Sequence, residues 1–157
     1  MAKSLRIENA DFDAMDAKIL RILLDDARTS VAEIARQVGM SPPGVSERIK
    51  RLEERGTIEG YSVRINPGSL GLPLSAWLRI RPVPGQLNTV ADILRDIPEI
   101  ASCDRVTGED CFIARVHVRS ILDLERVIDR IIPHAMTNTA IIQSSPVEQR
   151  LPASSGA

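Results

Sequence analysis

The chain has two cysteines, two histidines and almost no net charge. Its 157 residues hold 20 Lys and Arg against 21 Asp and Glu, a formal charge of −1. Such a balance provides no overall basic field, so any surface for a polyanion must come from local placement. The halves do not differ: eleven basic and eleven acidic residues precede Ile65, and nine and ten follow it. No apolar run approaches the roughly 20 residues of a bilayer span, and the opening MAKSLRIENADF lacks the apolar segment of a secretory signal. The expectation is a cytoplasmic protein with no membrane contact. Cys103 and Cys111, the only cysteines, make no recognisable zinc site. If Val106 faces Cys111 across a hairpin, Cys103 lies opposite Ala114 and points to the other face, which excludes a disulfide between them. Neither a Ser-His-Asp arrangement, nor a metal cluster, nor a glycine-rich phosphate loop is present, so no catalytic residue, metal or cofactor is expected.

The densest local signals lie between Thr29 and Gly60. Ser30 with Glu33 three residues on reads as a capping box, and Val31, Ile34, Ala35 and Val38 form one apolar helical face. Gly39 can take the left-handed backbone that stops the helix. Ser41 caps the next helix and Pro42 opens it, because proline at the first helical position gives up no hydrogen bond. Val45, Ile49 and Leu52 form the buried stripe of this second helix, and Gly56 follows its end. Two helices so closely spaced read as a helix-turn-helix, whose second helix enters a DNA major groove. With the apolar stripe turned inward, Pro43, Gly44, Glu47, Lys50, Arg51 and Glu54 face outward, with Ser46 and Arg48 on the flanks. Pro43, Gly44, Ser46 and Glu47 are then nearest base edges, and Arg48, Lys50 and Arg51 reach phosphates or guanine. Ser41 and the free amides beside it suit a phosphate.

Upstream, Phe12, Met15, Ile19, Ile22 and Leu23 recur at helical spacing, predicting a first helix over 13–26 with Asp11, Asp13 and Asp16 complementing its dipole. The first ten residues lack periodicity, although Leu5 and Ile7 can dock on a neighbouring subunit. Downstream, Ile58, Tyr61, Val63 and Ile65 around Gly60 suit the short strands of a wing, and the cluster of Asn66, Pro67, Gly68, Gly71 and Pro73 reads as a linker. A strand over 74–81, a helix over 86–96, a hairpin of strands 100–107 and 111–118, a helix capped by Ser120 and ended by Pro133, and a strand over 136–143 then give the order βαββαβ. That is the ferredoxin-like split βαβ arrangement, with both helices on one face of a four-stranded antiparallel sheet. Apolar residues of both parities on the strands predict burial of the open face in a sheet-to-sheet homodimer. The fold class is therefore α+β: a winged helix-turn-helix at 11–65, a linker at 66–73 and a ferredoxin-like domain at 74–150.

Together the opening DFDAMDAKILRILLDDAR, the block VAEIARQVGMSPPGVSERIKRLEERGTIEGY, the INP that follows and VTGEDCF in the hairpin resemble the Lrp/AsnC, or feast/famine, family of transcriptional regulators. The resemblance implies double-stranded DNA as partner, dimers assembled further into octamers, and a small-molecule effector, usually an amino acid, bound near the hairpin glycine loop and at contacts between dimers. Those positions are Gly108, Glu109, Asp110 and Cys111, with Thr137 and Thr139 on the last strand as neighbours. Gly108 permits a backbone that exposes amides to a carboxylate, while Glu109 or Asp110 can accept an ammonium group. The alternative is an enzyme similar to haem-pathway decarboxylases of this fold, which handle substrate carboxylates with His or Arg. His117 and His134 read instead as core and helix-end residues.

Overall fold

The computed structural model describes residues 12–147, so Leu5, Ile7, Asp11 and residues 148–157 lie outside it. The chain forms two compact units that meet between Val63 and Arg64, the second being Arg64–Pro146.

Three helices make the first unit: α1 at Ala14–Asp25, α2 at Val31–Val38 and α3 at Pro42–Glu54. Asp13 starts α1 by accepting the amides of Met15 and Asp16, each at 2.8 Å, and Asp16 accepts the Asp13 amide in return at 3.3 Å. This reciprocal capping box is built from two aspartates. The box expected on α2 is only half made. Ser30 accepts the Glu33 amide at 3.2 Å, but the Glu33 carboxylate turns to Arg36 and Gln37, which lie one turn further on. Gly39 ends α2 at φ 71°, and Ser41 opens α3 by accepting the Gly44 amide at 3.3 Å. Ile19, Ile34, Ala35 and Val45 form the buried centre, with Met15, Leu23, Val38 and Ile49 packed around it. Full burial of each large aliphatic side chain contributes about 1.5–3 kcal/mol.

The wing departs from expectation. Residues 57–66 run without strand pairing, because Gly60 does not take the positive φ that a tight hairpin turn requires. The Tyr61 hydroxyl instead donates to Glu53 at 2.7 Å, tying the segment to the last turn of α3. Pro67–Leu70 then forms a 3-10 turn capped by Asn66.

The second unit contains β1 at Leu74–Pro82, α4 at Leu87–Arg95, β2 at Ile100–Arg105, β3 at Phe112–Val118, α5 at Ile121–Ile131 and β4 at Ala135–Ile141. The sheet is antiparallel throughout, in the order β2-β3-β1-β4. Ala76, Leu78 and Ile80 of β1 and Phe112, Ala114 and Val116 of β3 share a core with Val90 and Leu94 of α4 and Leu124, Val127 and Ile131 of α5. Both helices therefore cover the same face. Cys103 pairs with Ala114 as expected, and a register shift between Ile100 and Ser102 sets Ile100 opposite Val116, so strict alternation along β2 breaks and both lie on the helix face. The open face carries Trp77, Ile113, Met136 and Ala140 among Ser75, Arg79, Arg81, Arg115 and His117, a narrower apolar set than alternation alone suggests. Cys103 and Cys111 are unbridged.

Candidate functional site

Two sets of side chains answer to the expected sites. On α3, Ser41, Pro43, Ser46, Glu47 and Lys50 are exposed, while Gly44 and Arg51 are half-buried. Lys50 lies 3.7 Å from Glu54 one turn on, an exposed pair that leaves the ammonium free to exchange. The Arg51 Nε finds no hydrogen-bond acceptor. Arg48 differs from these in being tied to acids of α1. Its Nη1 lies 2.7 Å from Asp13 Oδ2 and 2.8 Å from Asp16 Oδ1, and its side chain is 22% exposed. Long-range packing of α1 against α3 ties Arg48, on the flank of the helix, to these two acids. The Asp13 carboxyl is held below its ordinary range first by the Asp16 amide and then by the Arg48 guanidinium.

In the second unit, Gly108 has φ 114° and so supplies the turn between β2 and β3 that a residue with a Cβ would strain. The two acids after it are already engaged. Asp110 accepts from Arg79 Nε at 2.7 Å and lies 2.6 Å from Arg79 Nη2. Glu109 pairs with Arg81 through its carboxylate and also accepts Arg81 Nε on its backbone oxygen at 2.9 Å. Arg79 and Arg81, which the sequence reading did not assign to the site, therefore belong to it. Their alternation with apolar residues on β1 placed them on the open face, but pairing with the hairpin required the register. Cys111 is half-buried and its amide donates to Ile80 at 3.0 Å. Thr137 pairs with Ile80 and Thr139 with Leu78, so both threonines share the helix face. Arg79 and Arg81 lie on the opposite face. One chain therefore does not bring Thr137 and Thr139 to the hairpin acids, a correction to the expected cluster.

The histidines are held by structural contacts. His117 Nδ1 lies 2.7 Å from Ser75 Oγ, and burial, then Arg115, pushes its pKa down. His134 Nδ1 lies 3.2 Å from Gln86 Oε1. Among the described residues no group of His, Cys, Asp and Glu is arranged to hold a metal, and no helix is long and apolar enough to cross a membrane.

A helix-turn-helix with a polar, exposed second helix, followed by a separate α+β unit, defines a DNA-binding regulator that carries its own sensory domain. Known proteins make the class specific. Residues 12–59 match the model for winged helix-turn-helix DNA-binding domains, and residues 75–152 match that for the Lrp/AsnC ligand binding domain. The transcriptional regulator LrpA of Mycobacterium tuberculosis is 39% identical over 124 residues, covering 78% of this chain and 83% of its own. The solved structure of LrpC from Bacillus subtilis superposes with a TM-score of 0.83 at 29% identity, covering 88% of this chain and 99% of that one. A feast or famine regulatory protein from M. tuberculosis, complexed with L-methionine, gives 0.81 at 35% identity over 90% and 99% of the two chains. The chain belongs to the Lrp/AsnC family of DNA-binding transcriptional regulators. These matches give no support to the decarboxylase alternative.

Proposed function

We propose that this regulator reads DNA through the outward residues of α3 and responds to an amino acid held at the β2–β3 hairpin. The exposed polar surface of α3 carries the reading: Pro43, Gly44, Ser46 and Glu47 face base edges, Lys50 and Arg51 take phosphates or guanine, and Ser41 with the first amides of α3 holds a phosphate. The effector reading rests on the ligand-binding domain and on the relative solved with L-methionine. In this chain the zwitterion has matching partners. Its ammonium group exchanges with Arg79 at Asp110 or with Arg81 at Glu109, and its carboxylate takes the displaced guanidinium and the amides around Gly108. Thr137 and Thr139 join such a site only from another copy, which ties effector binding to assembly.

The open sheet face supports a homodimer. Trp77 is 37% exposed and Met136 67%. Arg115 stacks 5.7 Å from the Trp77 ring centre, so this face presents apolar and aromatic surface to a second sheet. Dimers assemble further, as octamers, in the cytoplasm, and paired α3 helices read palindromic half-sites. Within this reading residues 11–65 bind DNA, 66–73 link, and 74–150 bind effector and dimerise. Footprinting on upstream DNA, with and without each of the twenty amino acids, tests it. Protection of a paired site that one amino acid alters is expected; protection indifferent to all twenty, with no thermal shift from any, overturns the effector reading.

A further inference from the structure

We infer that Arg48 is a positioning residue of the DNA-reading helix, not a DNA contact: one guanidinium nitrogen bridges both carboxylates of the α1 capping box and thereby sets how α3 is presented. This rests on the reading that α3 enters the groove.

The geometry is a closed network. Asp13 spends Oδ1 on the amides of Met15 and Asp16, which leaves Oδ2 for Arg48. Asp16 spends Oδ2 on the Asp13 amide, which leaves Oδ1 for the same Arg48 Nη1. Each acid therefore works twice, once to hold the first turn of α1 and once to hold the middle of α3. Asp16 is 3% exposed, and Arg48 is the cation that meets it there. Arg48 lies one turn beyond the base-facing start of α3, on the flank between the buried stripe and the outward face. A tilt of α3 about its packing contacts must first pull the guanidinium off one carboxylate. Apolar side chains such as Val45 and Ile49 hold α3 against its neighbours without fixing its rotation as sharply, because dispersion contacts are not directional and a bridged ion pair is.

The test uses the full-length protein and a duplex enriched from a random pool by the unaltered chain, with Kd measured across a salt series well below the melting temperature. Arg48→Ala should weaken binding on the order of tenfold or more while the slope of log Kd against log salt stays unchanged, because no phosphate contact is removed. Asp16→Asn is the sharper arm. It deletes a negative charge from a protein that binds a polyanion, so electrostatics alone makes binding tighter, whereas loss of positioning makes it weaker. Arg48→Lys, which keeps the charge but reaches one carboxylate well, should fall between; it and Asp13→Asn carry the measurement if the other variants do not fold. A slope reduced by about 1 in Arg48→Ala, tighter binding by Asp16→Asn, or lowered melting temperatures with unchanged Kd would each overturn the inference. Arg51→Ala and Lys50→Ala are the controls: an Arg51→Ala variant with Kd and slope untouched removes Arg51 from the contacts, and if the double variant also leaves both untouched, the reading of α3 as the groove helix has failed instead.

Discussion

Ile34 and His117 show how differently single residues carry this protein. Ile34 is fully buried where three helices meet, so Ile34→Ala removes apolar contacts that its neighbours can only partly replace. A loss of about 2–5 kcal/mol is expected, read as an earlier urea midpoint for the helical unit; a loss below 1 kcal/mol would mean the core collapses into the space. His117 acts through protons. Its folded pKa lies below the ordinary 6.5, chiefly through burial, so as pH falls the unfolded chain takes up a proton first. Its contribution is complete above pH 6.5 and is lost as pH falls toward the folded value. The melting temperature of His117→Gln should therefore drop less between pH 7 and pH 5 than that of the unaltered protein, and parallel curves would remove His117 from the account. Residues of these two kinds differ in legibility. The helical period of Val31, Ile34, Ala35 and Val38 announced the core position, whereas nothing local announced the Ser75 partner of His117, 42 residues away.

At the scale of elements, the caps and breakers were readable because they act within four residues. Ser30, Gly39, Ser41, Pro42 and Ser120 all stand where their chemistry placed them. The wing was not readable in the same way, since a strand needs a partner and residues 57–66 have none among the described residues. The β2–β3 hairpin lies between these cases. Gly108 marked the turn, but the tie from Asp110 to Arg79 depends on the antiparallel register that sets Ile80 opposite Phe112. Arg79 is 56% exposed, so a double-mutant cycle of Arg79→Ala and Asp110→Asn should give a coupling below about 1 kcal/mol. The larger effect should be faster hydrogen exchange at the Cys111 amide, which the ion pair helps to hold against Ile80. Unchanged exchange would show that the backbone alone orders the hairpin.

For the whole molecule, the proposed assembly turns on the sheet face opposite α4 and α5. Trp77 and Met136 are exposed on that face, and Arg115 stacks on the Trp77 ring. Trp77→Glu should convert the proposed assembly to monomers in light scattering, lowering the mass by half or more at micromolar concentration. An assembly of unchanged mass would place the interface elsewhere. Assembly also decides the effector site as proposed, because Thr137 and Thr139 lie on the helix face and the hairpin acids bind arginines on the other.

By itself the sequence determined the helices and their ends, the βαββαβ order, the helix-turn-helix and the family it resembles, because hydrophobic period, caps and turn residues act over one to four positions. Only the tertiary structure decided where the charges went. Arg48 meets Asp13 across 35 positions and Asp16 across 32, Asp110 meets Arg79 across 31, and Glu109 meets Arg81 across 28. A long cationic side chain reaches several carboxylates within its arc, and which one it meets is settled by how elements pack and by strand register. The same holds for the bulge after Ile100, which brought Ile100 to the helix face beside Cys103 by one extra residue.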